Sequence, residues 1–342
     1  MFIFKNKLQG QYNMEKIDVL MATYNGEKYL REQIDSILNQ TYSNINLIIS
    51  DDGSTDKTPE ILKEYEKKDN RVILKPHKER FGVIKNFEFL LKQVENNYYM
   101  FSDQDDVWLP EKIEKSMDKM KQEDADLVFT DLEVVDEELK TIYPSYGDYM
   151  LLNRKIKKCI NSQELNYLYN CVTGCTALGK KKMLDKILPL PDTSKYVLHD
   201  YWIAVMTSIY GKVAYVEEAC IKYRQHGNNQ VGTDKISHKF TKFADVRNLF
   251  IDLKLDIFQT FVDNNDRFPE EFQERNKRSL EYFQMLKKVK FFNFKKWNIF
   301  YDLYKNEKFN FYIENFMILN IPAISIIVFK IRHLLLKIQG KR

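Results

Sequence analysis

Apolar, β-favouring runs alternate with segments of helical periodicity between residues 17 and 102, and no other feature limits the fold as strongly. The predicted strands cover residues 17–22, 46–50, 71–75 and 98–102. Strands that alternate with helices at this spacing favour a parallel, doubly wound sheet with right-handed crossovers. Such sheets bind ligands beyond the carboxyl ends of their strands. Three of these strands are followed by polar loops that mark the predicted functional edge, at 23–26, 51–56 and 102–106.

The pattern is less regular beyond Trp108. The further predicted elements are a helix at 111–122, a strand at 126–131, a helix at 199–210 and short strands at 213–216 and 221–223. From about residue 236, Lys, Phe and Leu recur with helical spacing and almost no glycine. We therefore expect an α/β domain over 14–235 and a helical C-terminal region over 236–342. Residues 1–13 are expected to be a leader outside the fold.

Composition excludes several classes of protein. With 44% hydrophobic and 30% charged residues, the chain is globular, and its net charge of +4 is too small to indicate nucleic-acid binding. The N-terminal segment lacks the apolar run and cleavage site of a signal peptide, which predicts a cytoplasmic protein. The cysteines show no paired C-x-x-C spacing, so we expect reduced thiols and neither a disulfide framework nor a zinc site. They are Cys159, Cys171, Cys175 and Cys220.

Acidic residues concentrate directly after the fourth predicted strand, in Asp103-Gln104-Asp105-Asp106. Carboxylates this close repel one another, and a cation would relieve that repulsion. Oxygen ligands on one loop suit Mg²⁺ or Mn²⁺, which keep positions open for water and phosphate oxygens. A solvated acidic turn that caps the helix at 111 is the alternative interpretation.

A second acidic loop, from Asp51 to Asp56, follows the second predicted strand. A carboxylate there could accept hydrogen bonds from a base or ribose, as in dinucleotide-binding sheets. A polar turn in which Asp56 caps the next helix explains the residues equally well. Neither G-x-G-x-x-G nor a Walker lysine is present, so a phosphate-binding glycine loop is excluded.

The predicted helix at 199–210 begins with His199-Asp200-Tyr201-Trp202. An aspartate at this position is commonly a helix cap. The alternative is that Asp200 is a general base in a pocket lined by Tyr201 and Trp202.

Residues 223–230, Tyr-Arg-Gln-His-Gly-Asn-Asn-Gln, put a cation, an imidazole and several amides into one loop. This grouping suits a diphosphate ligand. His226 is therefore either a ligand or a structural histidine.

Taken in order, these motifs resemble those of the family 2 glycosyltransferases, and most closely those of bacterial rhamnosyltransferases of polysaccharide and O-antigen assembly. The resemblance covers about residues 15–230. The segments that carry it are MATYNGEKYLREQIDSILNQTY, ISDDGSTDKT, FSDQDDVWLPEKI, TGCTALGKK, HDYWIA and YRQHGNN. SDQDDVW and YRQHGNN are much more specific than DDGSTD. The chain has His-Asp at 199–200 where many relatives have Glu-Asp, so only the role of the first residue is in doubt.

The resemblance implies a GT-A fold, which is an α/β, Rossmann-like and mostly parallel sheet, here with a C-terminal helical appendage. It also implies a nucleotide-sugar donor, Mn²⁺ or Mg²⁺, and an inverting single displacement. Asp200 matches the catalytic base, Asp105 the principal metal ligand, and His226 a loop histidine that reaches the metal or the diphosphate. Asp103 matches the residue on the ribose and metal side of the D-x-D motif. The remaining donor positions implied are Ala22, Thr23, Tyr24, Asp52, Arg80, Asn86, Gln104 and Arg224, and the acceptor positions are Gly174, Tyr201 and Trp202.

The chemistry of glycosyl transfer agrees with these assignments. Negative charge builds on the departing diphosphate, and a cation held by Asp105 would neutralise it. Arg224 and His226 could donate hydrogen bonds that strengthen as the bond breaks. A covalent mechanism needs a second carboxylate beside the anomeric carbon, and the motifs supply no clear candidate.

The segment Ile318–Phe329 is apolar but shorter than the roughly 20 residues that span a bilayer. Basic residues follow it, interleaved with Ile and Leu, as in helices that lie on anionic lipid. A helix packed on the catalytic domain is the other interpretation. The first interpretation would put the protein peripherally at the inner face of the cell membrane.

The expected reaction is transfer of L-rhamnose from dTDP-L-rhamnose to a glycan or a lipid-linked saccharide. A UDP-sugar donor is the first alternative. A nucleotidyltransferase would need a basic phosphate loop near residues 22–30, which is lacking. A non-catalytic carbohydrate- or lipid-binding module is the third hypothesis, and the complete set of motif carboxylates argues against it.

Overall fold

The structure is a computed structural model, and it describes residues 15–77, 79–149, 167, 170–191, 194–227 and 243–288. Its strands are β1 (Ile17–Thr23), β2 (Ile45–Asp51), β3 (Val72–Leu74), β4 (Tyr98–Ser102), β5 (Val107–Trp108), β6 (Leu127–Val135), β7 (Thr141–Tyr143), β8 (Ala177–Lys180) and β9 (Val213–Arg224). Its helices are α1 (Leu30–Leu38), α2 (Thr58–Lys68), α3 (Val83–Leu91), α4 (Lys112–Glu123), α5 (Tyr146–Tyr149), α6 (Leu184–Ile187), α7 (His199–Tyr210), α8 (Phe243–Asp263) and α9 (Glu270–Lys288).

All of these strands join one sheet, in the order β3-β2-β1-β4-β8-β6-β9-β5, and β7 pairs with β6. The predicted parallel arrangement is confirmed for β1 to β4. The second half is mixed, because β8 is antiparallel to both β4 and β6. Two successive reversals make β6 parallel to β4, and β9 is parallel to β6. The carboxyl ends of β1, β2, β4, β6 and β9 therefore lie at one edge.

One feature of the second half departs from the sequence prediction. The short strands expected at 213–216 and 221–223 form a single strand, β9. Its register against β6 shifts between Thr130, which pairs with Val216, and Asp131, which pairs with Ala219. The exposed acidic pair Glu217-Glu218 lies in this irregularity, so the two residues form a bulge and do not end the strand.

The core has an apolar layer on each face of the sheet. Along β1, Val19 and Met21 pack with residues of α1, α2 and α4, whereas Leu20 packs with residues of α3 and α7. This period of two is the pattern of a strand buried on both faces. The helices thus cover both faces and leave the carboxyl edge of the strands open for the loops.

The C-terminal helices α8 and α9 confirm a helical region after the sheet. Phe258, Phe261 and Phe268 of this region belong to the same buried cluster as Trp202 of α7. None of the described helices is long and apolar enough to cross a membrane. The expected leader at 1–13, the boundary at 235, and the segment 318–329 with the basic residues after it lie outside the described residues.

Candidate active site

A chain of hydrogen bonds from helix α1 holds the start of the acidic loop after β4. Gln33 donates a hydrogen bond to Ser102 Oγ at 2.7 Å, and Ser102 Oγ donates to the Asp103 carbonyl at 2.8 Å. Asp106 is fully buried, and Asp103 and Asp105 are partly buried. This anchoring turns the loop so that its carboxylates converge.

The carboxylates of this loop crowd one another. Burial, together with the charges of Asp105 and Asp200, raises the pKa of Asp103 to about 7. Burial and the charges of Asp105 and Asp103 also raise the pKa of Asp106 well above its usual range. Within the described part of the chain, Asp106 Oδ2 is buried without a hydrogen-bond partner. A crowded set of carboxylate oxygens with an unpartnered member fits a hard divalent cation.

His226 reaches the acidic loop from the segment after β9. Its Nε2 lies 2.8 Å from Asp105 Oδ2, and its ring packs against Tyr29 with centroids 5.0 Å apart. The resemblance implied that Asp105 binds the metal and that His226 reaches the metal or the diphosphate, and the fold brings the two side chains together. Either could offer a lone pair to a metal ion from this position.

Cys175 is a neighbour of the acidic loop that sequence reasoning missed. Its thiol sulfur and one oxygen each of Asp103 and Asp106 lie within 4.8 Å of one another. Burial and the charges of Asp106 and Asp103 raise the pKa of the thiol. The protonated thiol is therefore suited to donate a hydrogen bond to these carboxylates. The only sequence signal was its place in the TGCTALGKK segment.

Asp52 organises the part of the edge that follows β2. Its two oxygens accept hydrogen bonds from the backbone N–H groups of Phe81, at 2.5 Å, and Gly82, at 2.9 Å. Arg80 Nε lies 4.0 Å from Asp52, and the Arg80 guanidinium lies over the Tyr24 ring at 4.1 Å. The structure thus brings together three of the residues assigned to the donor: Asp52, Arg80 and Tyr24.

Gln104 joins the loop after β1 to the acidic loop. It accepts a hydrogen bond from the Tyr24 N–H at 2.9 Å and donates one to the Tyr24 carbonyl at 3.0 Å. A Cβ on Gly26 would stand 2.3 Å from Gln104 Oε1, so glycine is needed for this close approach. The side chain of Gln104 is therefore occupied by protein backbone in this conformation.

Three further residues were assigned to donor binding. Ala22 and Thr23 lie at the carboxyl end of β1, and Asn86 lies on α3 against the end of β2. Thr23 donates a hydrogen bond to Asp51 Oδ1 at 2.8 Å, and Ala22 is partly buried in the sheet. Asn86 is buried and donates to the Ser50 carbonyl at 3.1 Å. Its Oδ1 has no partner among the described residues. Asn86 therefore holds the end of β2 through its amide nitrogen.

Asp200 lies in the first turn of α7. It accepts a hydrogen bond from the Tyr201 N–H at 2.7 Å, and Asn170 Nδ2 lies 3.5 Å from its other oxygen. A Cβ built on Gly174 would be 3.5 Å from Asp200 Cβ, so the 170–174 segment lies against the proposed base. Asn170 was missed, because the polar 140–170 stretch offered no periodicity to place it.

The prediction that Tyr201 and Trp202 line a pocket is wrong. Both side chains are buried in the core beneath α8 and α9. Tyr201 donates from its hydroxyl to the Tyr167 carbonyl at 3.1 Å, and Trp202 Nε1 donates to the Ile187 carbonyl at 2.9 Å. The side chains of Tyr201 and Trp202 point from α7 into the core, so neither ring can contact an acceptor.

Replacing Trp202 with phenylalanine should therefore affect stability. We expect the free energy of unfolding to fall by about 1–3 kcal/mol, because the Ile187 carbonyl loses its donor and a smaller ring fills the site. Urea denaturation of Trp202→Phe measures this loss. Unchanged stability together with a weakened acceptor affinity would contradict the core assignment and restore the acceptor role.

The donor-binding assignment of Arg224 also needs correction. The side chain is 3% exposed, and its guanidinium contacts the Asp105 carbonyl, the Glu137 carbonyl and the Glu32 carboxylate. It lies over the Tyr29 ring at 4.5 Å. Arg224 therefore holds the acidic loop from behind and presents no free face to a diphosphate.

Lys112 is a buried cation behind the acidic loop that the motifs did not indicate. It is fully buried at the start of α4, and its Nζ lies 3.3 Å from the centroid of the Trp108 ring. Burial lowers its pKa to about 7, while the Asp106 charge acts in the opposite direction. The sequence signal was its place in the FSDQDDVWLPEKI segment, in which no role was assigned to this lysine.

The chain is similar to known glycosyltransferases in sequence. A model of the family described as "Glycosyl transferase family 2" matches residues 18–188. The chain is 33% identical over 241 residues to the dTDP-rhamnosyl transferase RfbG of Shigella flexneri, covering 67% of this chain and 79% of that protein. It is 31% identical over 221 residues to an uncharacterized glycosyltransferase of Methanocaldococcus jannaschii, covering 63% of this chain and 72% of that protein.

The fold is also similar to those of solved structures. S. aureus TarS in complex with UDP-GlcNAc matches with a TM-score of 0.54 at 18% identity, over 84% of this chain and 80% of that chain. Mannosyltransferase PcManGT from Pyrobaculum calidifontis, in complex with GDP-Man and Mn²⁺, matches with a TM-score of 0.52 at 15% identity, over 79% of this chain and 70% of that chain. The fold is the GT-A α/β fold. Because the family model spans half of the chain and RfbG aligns with two thirds of it, the chain belongs to glycosyl transferase family 2 and is a glycosyltransferase.

Proposed function

We propose that this enzyme moves L-rhamnose from dTDP-L-rhamnose to a glycan or lipid-linked saccharide in the assembly of a cell-surface polysaccharide, with inversion and with Mn²⁺ or Mg²⁺. The observation that carries the proposal is geometric: Asp103, Asp106 and Cys175 lie within 4.8 Å of one another, and Gly174, the residue next to Cys175, lies against Asp200. The acidic loop and the candidate base therefore lie on the same side of the sheet edge. The rhamnose donor is supported by the similarity to a dTDP-rhamnosyl transferase.

Asp103 and Asp105 are the residues proposed to hold the cation, with His226 beside Asp105 as a third ligand. Their oxygen and imidazole donors, and the repulsion among the carboxylates, fit such an ion. When bound, the cation neutralises charge on the departing diphosphate. Arg224 donates a hydrogen bond to the Asp105 carbonyl, and Gln104 donates one to the Tyr24 carbonyl, so both residues hold the acidic loop in place.

The proposed nucleotide subsite is the wall formed by Tyr24, Arg80 and Asp52. Tyr24 is 37% exposed, so its ring is available to a base. Each Asp52 oxygen accepts one backbone hydrogen bond and retains a lone pair for the N3–H of a pyrimidine. Thymine and uracil share this N–H, which is why a UDP-sugar donor remains the alternative.

In the proposed reaction, Asp200 takes the proton of the acceptor hydroxyl as that oxygen forms its bond to the anomeric carbon. The bond between the anomeric carbon and the diphosphate oxygen breaks in the same displacement, and the nucleoside diphosphate leaves with the bonding electron pair. The attack comes from the face opposite the leaving group, so the configuration inverts. The hydrogen bond from the Tyr201 N–H orients the Asp200 carboxylate for this task.

We further propose that residues 14–235 form the catalytic domain and that the helical region 236–342 brings it to the inner face of the cell membrane. The apolar run followed by lysines and arginines near the C-terminus supports this arrangement. A lipid-linked acceptor would be presented at that surface.

Thermal denaturation with nucleotide sugars tests the donor and the cation together. We expect dTDP-L-rhamnose with Mn²⁺ or Mg²⁺ to raise the melting temperature, because a ligand at a hundred times its Kd adds about 2.7 kcal/mol of apparent stability. Chelator should abolish the shift, and release of dTDP confirms turnover. A shift with UDP-GlcNAc or GDP-mannose alone would overturn the rhamnose donor, and a shift unaffected by chelator would overturn the cation.

A further inference from the structure

Tyr29 directly precedes helix α1 and contacts the segment that carries His226. The centroids of the two rings are 5.0 Å apart, with 35° between the ring planes. The Arg224 guanidinium lies over the same tyrosine ring at 4.5 Å. These contacts join the start of α1 to the end of β9, which lie far apart in the chain. The proposed reaction assigns no role to this tyrosine.

Tyr29 is fixed at its backbone and at its hydroxyl. Its N–H donates a hydrogen bond to the Gly26 carbonyl at 3.1 Å, and its hydroxyl donates to Glu137 Oε2 at 3.0 Å. Glu137 is fixed in turn, because Lys28 pairs with its carboxylate and Arg224 donates to its carbonyl. The phenol ring therefore has little freedom to rotate, and it forms a firm wall beside the imidazole.

A large contribution to stability does not explain this anchoring. The Lys28 and Glu137 side chains are 65% and 43% exposed, and ion pairs this exposed contribute little to the free energy of unfolding. The His226 side chain, by contrast, is 10% exposed, and its Nε2 lies 2.8 Å from Asp105 Oδ2. What the anchored ring fixes is the position of a nearly buried imidazole beside a proposed cation ligand.

A histidine that binds a metal ion must direct one ring nitrogen at the ion. An imidazole can rotate about two side-chain bonds, and the loss of this freedom on binding weakens the affinity. Residues that orient a ligand typically change metal affinity by about tenfold to a hundredfold. An imidazole that is already held in place loses little freedom when the ion binds.

We propose that Tyr29 is a positioning residue that holds the His226 imidazole beside Asp105 for the cation, and that Glu137 fixes Tyr29 through its hydroxyl. The inference rests on the proposed function, since it takes His226 and Asp105 as cation ligands. Tyr29 itself contacts neither the ion nor the sugar in this role. Its effect on the cation passes through the imidazole, which makes the inference testable.

Two substitutions divide the role of the ring from that of the hydroxyl. Tyr29→Leu removes the aromatic wall, and we expect it to raise the Kd for Mn²⁺ about tenfold, because the imidazole is no longer held. Tyr29→Phe keeps the ring and loses one hydrogen bond, so a rise of about threefold is expected. Tyr210→Leu is the matched control. This tyrosine is 37% exposed at the end of α7, and its removal should leave the Kd unchanged.

The deciding measurement is a double-mutant cycle with His226→Ala. Mn²⁺ binding is followed by electron paramagnetic resonance of the unbound ion, in separate titrations with dTDP and with UDP. If Tyr29 acts through His226, Tyr29→Leu causes no further loss of affinity in the His226→Ala background. Losses that add in the double variant would overturn the inference, because the tyrosine would then act independently of the imidazole. Unchanged Mn²⁺ affinity in Tyr29→Leu would overturn it as well.

The same titrations separate this inference from the function on which it rests. If the unsubstituted enzyme binds no Mn²⁺ in either titration, the proposed cation is wrong, and the role of Tyr29 is wrong with it. If His226→Ala binds Mn²⁺ as tightly as the unsubstituted enzyme, the cation stands and this inference is wrong. Melting temperatures report whether each variant is folded. Should Tyr29→Leu fail to fold, the cycle of Tyr29→Phe with His226→Ala decides in its place.

Discussion

Asp200→Asn is expected to slow sugar transfer by about a hundredfold to ten-thousandfold while donor affinity stays the same. The amide cannot take the proton of the acceptor hydroxyl, yet it preserves the size of the side chain. It also keeps an oxygen to accept the 2.7 Å hydrogen bond from the Tyr201 N–H, so the start of α7 should remain in place. The loss should therefore appear in kcat.

Single-turnover transfer rates and donor titrations measure the two quantities separately. Asp185→Asn is a matched control, because Asp185 is an exposed aspartate on the one-turn helix α6. That variant should transfer sugar at the unsubstituted rate. Normal turnover in Asp200→Asn would remove Asp200 as the base. A loss of donor affinity equal to the loss of rate would assign it to donor binding.

Asp105→Ala is expected to weaken cation-dependent donor binding by about a hundredfold or more. The substitution removes the carboxylate that lies 2.8 Å from His226 Nε2, and with it one of the charges that raise the pKa of Asp103. The Asp105 carbonyl still accepts from Arg224, so the loop keeps its support from behind. The expected effect is therefore a weaker binding of the cation and of the donor diphosphate.

Donor titrations with Mn²⁺ and with chelator test this expectation. The unsubstituted enzyme should bind the donor more weakly when chelator is added, whereas Asp105→Ala should bind weakly in both conditions. Asp118→Asn, on the exposed side of α4, should behave like the unsubstituted enzyme. If Asp105→Ala keeps the full difference between Mn²⁺ and chelator, Asp105 is not a cation ligand.

The contact between His226 and Asp105 involves two loops that could be recognised from the sequence. The loop after the fourth strand was recognisable from an apolar run that ends in carboxylates, and the 223–230 segment from its mixture of a cation, an imidazole and amides. The resemblance to the family then assigned Asp105 to the metal and His226 to the metal or the diphosphate. In the structure the two side chains are in contact, because β9 runs parallel to β6 and ends at the same edge as β4.

Arg224 and Trp202 show where that reasoning failed. Both residues lie inside motifs that carry chemistry, and each lies two residues from one assigned to the site, Asp200 or His226. Their own side chains point inward, because β9 alternates its faces and α7 is covered by α8 and α9. Which face a helix buries depends on what packs upon it, and α8 and α9 follow α7 by more than thirty residues in the chain.

The sequence by itself determined the local features of this protein: the strand–helix alternation, the polar loops at strand ends and the carboxylates they carry. Hydrophobic periodicity and turn chemistry act over a few residues, so they can be read without neighbours. Only the tertiary structure decided which of those side chains share a space. The reversal at β8 and the support of the acidic loop by Arg224 and Gln104 both arise from contacts between distant segments. Such contacts depend on packing and long-range hydrogen bonds, whose partners no local pattern specifies.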